Sequence, residues 1–462
     1  MRHAPALLAS LVAVLVVLLN LDAPLVEDGL FWWVPKALSM GTDPGWVLDQ
    51  LPAATRPEAR LPPQWAGGLP DYAHPVGWYA YLALLLKLPV KTHVAVHLAA
   101  LPCAVGLGAG MAALLRRMGG PQVAWTAALI PLLPPVAAQL LRCDTDLPLM
   151  ALTPWALVAI LDRRDWLFAL TAGLATFCKE PGVLLAAPAL AACLMDRRRG
   201  WGWAAPPLVL AGWALLHWSQ TGWALAGSER LPEDLGGWLA DLGSVLWIVL
   251  GEQWRWLAVP VAAWGLWRLS PRRRPLLIVL AHVLVQLAFF GTLNFLGGLD
   301  RLDHHTHVRY LIPGLLGWVA LLLAATPWTA APLLLTSLFF LHRPSAWGPE
   351  SSIYGLDVAR AVRLAAPALE RDQPVWVGSY AWTQLTRPYA GVVDEPMDQL
   401  QLYAFETDPR EVSGFVVEVC EGEPLGRLQE LDLQEVQRFE VRHAWVKLHL
   451  VPASEPGVST PP

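Results

Sequence analysis

Arginine gathers at four places in the middle of the chain: Arg116–Arg117, "DRRD" at 162–165, "DRRRG" at 196–200 and "PRRRP" at 271–275. Long apolar stretches separate them, so whatever fold this chain adopts must thread those stretches between arginine-bearing turns. Only 15% of residues are charged and 55% are hydrophobic, with a mean hydropathy of +0.42. Soluble domains carry roughly 25% charged residues, so the sequence reads as a multi-span membrane protein. A net charge of −5 and the lack of a basic domain argue against a nucleic-acid partner.

A span needs about 20 apolar residues. The first candidate, residues 4–21, follows the basic start "MRH" and lacks a clear small-x-small cleavage site, so it reads as an uncleaved helix rather than a removed signal. Further candidates are 93–115, 122–141, 147–161, 166–179, 181–195, 203–223, 244–268, 275–296, 310–326 and 328–342. The arginine clusters fall at alternate loops, and placing all four in the cytoplasm satisfies the positive-inside rule. That placement makes 22–92 one long external loop and gives about eleven spans, N-terminus inside and C-terminus outside. "HPVGWYAYLALLLKLP" at 74–89 then lies as an amphipathic helix in the outer interface instead of crossing.

Beyond Arg343 the pattern changes. Residues 353–372 have helical periodicity, whereas 374–380, 414–420 and 439–451 read as strands. The expected architecture is mainly α: a transmembrane bundle over 1–342 with amphipathic juxtamembrane helices in 22–92, a small α/β extracytoplasmic domain over 343–450, and a disordered tail at 451–462. Five cysteines show no zinc-ligand spacing.

With this topology the unusual polar residues collect on the outer face. They are Asp22, Glu27, Asp28 and His74 in the first loop; Arg142, Asp144 and Asp146 in "RCDTD"; Lys179–Glu180 at the tip of an apolar hairpin; and "DRLDHHTHVRY" up to Tyr310. Charge near membrane depth is costly and usually lines a cavity or substrate path. Each group also has a plain structural reading. Glu27 and Asp28 suit a solvated helix end, and Asp144 and Asp146 suit caps of the helix at Leu147. Lys179 suits an interfacial snorkel, Arg309 an interfacial anchor, and His304, His305 and His307 a solvated loop. Glu252, Gln253 and Arg255, at the edge of a span, suit local pairing.

The order of these motifs resembles the GT-C glycosyltransferases, the membrane group that includes protein O-mannosyltransferases and the aminoarabinose transferase of lipid A. The carrying residues are the acidic pair Glu27–Asp28 before "GLFWWVPKALSMG", then "HPVGWYAYLALLLKL", "TDLPLMAL" at Asp146, "FCKEPGVLLAAPAL" and "VRYLIPGL". The acidic pair is inverted relative to the common Asp-Glu order, so either carboxylate is open to the leading role. The resemblance implies an inverting transfer of sugar from a polyprenyl-phosphate donor to an extracytoplasmic acceptor in a bacterial inner membrane. It implies Asp28 or Glu27 as base, and Asp146 to position the acceptor or hold a divalent ion. His74, Lys179 and Arg309 would bind the donor phosphate, with Asp144, Tyr310 and Glu180 as sugar or acceptor contacts. A transporter or lipid-linked glycan flippase is the alternative from outside the enzymes; paired repeats, its usual mark, are not seen.

Overall fold

The computed structural model describes residues 3–26, 34, 37, 75–221, 235–266, 273–292, 308–344, 352–370, 372–397, 399–403, 407–409, 412–420, 425–431 and 433–451. By its contacts the chain forms two compact units. One comprises Met1–Leu21, Trp32–Val90 and Val94–Ile353; the other comprises Asp22–Phe31, Lys91–His93 and Tyr354–Pro462.

The first unit is helical. Each of the eleven apolar candidates appears as helix, from Ala4–Leu18 to Ala330–Phe340. Thr92–Gly119 and the helix beginning at Arg273 are long and apolar enough to cross a membrane, and the bent pair Pro121–Leu132 and Pro134–Arg142 would make a third. The other apolar helices run 10–17 residues. The 61° bend in that pair has a local cause. Leu133 precedes Pro134, which bars it from the α region, and its φ of −61° and ψ of 126° are extended.

One expectation needs adjustment. Residues 244–268 do not form one continuous helix: Leu235–Leu250 is followed by a 3₁₀ segment, Glu252–Leu257, in which Gln253 and Trp254 have φ of 55° and 60°. Their polar neighbours stabilise the break, because Arg255 donates to the Ile248 and Val249 carbonyls and to Gln253, and pairs with Glu252 at 3.5 Å. The stretch 74–89 contains the helix Gly77–Leu85, nine residues long. At 1.5 Å per residue it spans about 14 Å, too short to cross.

The four arginine clusters meet at one end of this unit. Arg117 binds Asp162 at 2.6 Å, Arg198 binds Asp165 at 2.9 Å, and Asp196 accepts from both Arg163 at 3.1 Å and Arg274 at 2.8 Å. Chain alternation then sends the turns at 142–146 and 179 to the opposite end.

The second unit holds a five-stranded sheet: β1 Val375–Val377, β2 Leu400–Leu402, β3 Phe415–Val419, β4 Gln434–Val441 and β5 Ala444–Leu450, in the order β2-β1-β3-β5-β4. The first three are parallel and the last two antiparallel. The helix Tyr354–Leu369 lays Val362, Ala365 and Leu369 on Val375, Val377, Val417 and Val446. Its buried Asp357 is held by Arg360 at 3.1 Å and Arg442 at 3.0 Å. The strand expected over 439–451 is two strands, because the chain turns at Arg442, φ 55°, and His443. Neither residue is a usual marker of such a turn.

Candidate active site

Helix Pro134–Arg142 is wholly buried and stops at Cys143, whose φ of 58° lies in the left-handed region. Few non-glycine residues adopt it, and here two hydrogen bonds hold it. Cys143 donates its N–H to Gln139, and Trp78 Nε1 donates to the Cys143 carbonyl at 2.8 Å. Trp78 thus fastens the helix Gly77–Leu85 to this turn.

The turn delivers "DTD" to the start of the next helix, Asp146–Leu161. Asp144 accepts the Asp146 backbone N–H at 3.0 Å, satisfying a donor at the helix start. Asp144 does this from one residue before the N-cap position, Thr145, which makes no side-chain cap bond of its own. The Asp144 carboxylate also faces Arg142 Nε at 3.9 Å and the Gln139 amide nitrogen at 2.7 Å. Asp146 does not cap. It stands at the first helical position, and Lys179 Nζ lies 3.5 Å from its Oδ2.

Lys179 reaches there from the other side of a hairpin. Helix Asp165–Cys178 ends on Lys179 in extended conformation, and the 3₁₀ segment Glu180–Leu185 follows, with Pro181 in its first turn. Gly182 permits the tight return. A Cβ there would stand 2.5 Å from the Thr176 nitrogen and 2.7 Å from the Ala175 carbonyl carbon. Lys179 donates to Thr145 Oγ1 at 3.1 Å, and its ammonium sits 4.6 Å from the centre of the Tyr310 ring. Tyr310 in turn stacks on Phe290, with ring centres 6.1 Å apart.

Three separated motifs, "DTD", "KEP" and "RYLIP", thus converge in a buried cluster with two carboxylates, Asp144 and Asp146, and two cations, Arg142 and Lys179. The snorkelling reading of Lys179 does not hold, since its side chain is 1% exposed. Glu180 is half-buried and opens the following turn. Arg309 lies in the 3₁₀ turn Val308–Leu311, and its side chain is outside the described residues. Glu27, Asp28, His74, His304, His305 and His307 also lie outside them. Among the described residues no group of three His, Cys, Asp or Glu is placed to hold a metal ion.

Sequence reading missed Gln139, Thr145 and Phe290. Gln139 carried a faint signal, as a lone polar residue in an apolar run, and Thr145 lay inside the acidic turn without a mark of its own; Phe290 carried none.

Two solved structures share this arrangement of helices and sheet. ArnT from Cupriavidus metallidurans in the apo state superposes with a TM-score of 0.52 at 15% identity, covering 96% of this chain and 97% of that one. The same protein bound to undecaprenyl phosphate gives 0.50 at 16% identity, covering 97% and 98%. The family model described as dolichyl-phosphate-mannose-protein mannosyltransferase matches residues 73–221. The chain has the fold of ArnT. No curated protein matches it in sequence. The stretch matched by the family model contains Trp78, Gln139, Arg142, Asp144, Thr145, Asp146 and Lys179; Phe290 and Tyr310 come from beyond it.

Proposed function

We propose that this chain is an integral-membrane glycosyltransferase that moves a sugar from a polyprenyl-phosphate donor to an acceptor outside the cytoplasm. The observation that carries the reading is the Asp146–Lys179–Tyr310 cluster: a buried ion pair against an aromatic face, at the end of the bundle opposite the arginine clusters. ArnT, which shares the fold, has been solved with undecaprenyl phosphate. Tying all four arginine clusters to one end supports a cytoplasmic placement for that end. It also supports the eleven-span count, with the N-terminus inside, the α/β unit outside and the protein in a bacterial inner membrane.

In this reading the donor lies with its prenyl tail in lipid and its phosphate at the interface. Lys179, with Arg309 and His74, supplies the cations that stabilise charge growing on the departing phosphate. Asp28 or Glu27 takes the proton from the acceptor nucleophile, and direct attack inverts the anomeric carbon. Asp146 orients the acceptor, and it holds Lys179 by charge in the resting state. A divalent ion at Asp146 would have to displace the Lys179 ammonium, so the donor set fits a metal poorly and no step is drawn through one. Tyr310, Asp144 and Glu180 border the sugar and acceptor.

The test is transfer of labelled sugar from a polyprenyl-phosphate donor by the purified full-length protein. Asp28→Asn and Glu27→Gln, made singly, separate the base from its neighbour. Full activity in both removes these carboxylates from the reaction. Movement of labelled lipid across the bilayer with no covalent transfer would identify a flippase instead.

A further inference from the structure

The α/β unit contains more than the C-terminal part of the chain. Asp22–Phe31 and Lys91–His93 belong to it by contact, although they lie at the two ends of the 22–92 loop, more than 260 residues before the unit's main helix. The described parts of both stems are fixed there by specific contacts.

Arg363, on the helix Tyr354–Leu369, donates to Asp22 Oδ2 at 2.9 Å and to the Gly391 carbonyl. The other Asp22 oxygen lies 3.1 Å from His93 Nε2. One carboxylate therefore joins the first stem, the second stem and the α/β helix. His93 fits a slot that only glycine leaves open: Gly391 has φ of +80°, and a Cβ there would come within 2.6 Å of the imidazole. Beside it Lys91 binds Asp394 at 2.7 Å. On the first stem, Leu25 donates its N–H to the Ala390 carbonyl at 2.8 Å and accepts from Gln384 at 3.4 Å, and Leu25 and Val26 are buried. Burial pushes the Asp22 carboxyl up, but the contacts with His93 and Arg363 outweigh it and hold it below the usual range.

Surface ion pairs alone contribute little. Here the pair is one part of a fitted joint that also uses backbone hydrogen bonds, a glycine slot and buried apolar residues. The sequence spacing gives it purpose, since Val26 is followed directly by Glu27 and Asp28.

We propose that the α/β unit clamps both stems of the 22–92 loop through Asp22, His93 and Arg363, and that sugar transfer depends on the clamp, with Arg363 as a positioning residue. This rests on the glycosyltransferase reading. Small misplacement of reacting groups costs up to a hundredfold in rate, so loosening the stems should lower kcat and leave donor affinity alone.

The experiment uses full-length protein in lipid nanodiscs, comparing wild type with Arg363→Ala, Arg363→Lys, Asp22→Asn and the exchange Asp22→Arg with Arg363→Asp. Three readouts are taken: amide hydrogen exchange in peptides covering 20–26 and 88–95, kcat and KM for a polyprenyl-phosphate sugar, and melting temperature. The expected result is faster exchange in both stems for R363A and D22N, kcat down roughly tenfold or more with KM unchanged. Melting should be near wild type, with at least partial recovery in R363K and in the exchange variant. Unchanged exchange overturns the clamp. Faster exchange with unchanged kcat overturns its role in transfer, as does a loss shared equally by kcat and melting temperature in D22N, whose side chain is largely exposed. Wild-type protein that transfers no sugar from such donors sinks the glycosyltransferase reading and the positioning role with it, while the exchange data still decide the clamp.

Discussion

Lys179 Nζ lies 3.5 Å from Asp146 Oδ2, and both side chains are 1% exposed. A buried pair of this kind contributes modestly as a pair, because desolvation offsets the attraction. Removing one partner is costly, since it strands the other charge. Asp146→Ala or Lys179→Ala alone should therefore destabilise the protein by roughly 3–5 kcal/mol. Asp146→Asn with Lys179→Met should recover much of that loss while leaving sugar transfer abolished. Chemical denaturation and a transfer assay on the same preparations would check this; a double variant whose loss equals the sum of the two single losses would mean the two charges do not depend on each other.

The aromatic support of Lys179 can be tested separately. A cation over an aromatic face is worth about 0.5–2 kcal/mol, and Tyr310→Phe keeps the ring. That variant should melt close to wild type, whereas Tyr310→Leu should lose stability within that range. Transfer that falls in Y310F without a change in melting would assign the hydroxyl to substrate.

Gly182 sets the hairpin that carries Lys179. In Gly182→Ala the new Cβ meets backbone, not a flexible side-chain tip, so strain of about 1–3 kcal/mol is expected. The turn at Lys179 should shift with it. Donor binding, measured with the lipid phosphate alone, should weaken more than melting temperature predicts. Unaltered binding would show that the turn absorbs the methyl group elsewhere.

At the opposite end, Asp196 gives a pH signature. The hydrogen bond from Arg274 holds its carboxyl below the ordinary value, helped by the Arg274 and Arg163 charges against the upward push of burial. A depressed folded-state value means the stabilisation is fully present above the unfolded carboxyl value, about 4. It disappears as pH falls through the folded value. Stability should thus be indifferent to this group between pH 5 and 8 and should drop on acidification below about 4. Asp196→Asn should be less stable at neutral pH and lack that part of the acid drop. Thermal melts from pH 7 to pH 3 would measure it, and an Asn variant with the wild-type profile would remove Asp196 from the stability of this end.

The sequence carried the cluster because its parts are chemically conspicuous. Asp146, Lys179 and Tyr310 each interrupt or open an apolar run, and three such interruptions at alternate loop positions had to fall at one end of the bundle. Other features had no such mark. The hairpin of β4 and β5 turns on Arg442 and His443 where Asn-Gly or Asp-Gly would have announced it. The break after Gly251 relies on positive φ at Gln253 and Trp254, which side-chain chemistry does not signal. The joint between Asp22, His93 and Arg363 depends on residues up to 341 positions apart, and each alone reads as an ordinary solvated charge.

The interrupted helix around Arg255 has its own consequence. A kink normally leaves carbonyls facing outward, which hydrocarbon does not tolerate. The guanidinium reaches back to Ile248 and Val249, standing in for the water that would hydrate such a joint in a soluble protein. The chain thereby carries its own solvent to the site of the interruption, as a bilayer around that helix would require.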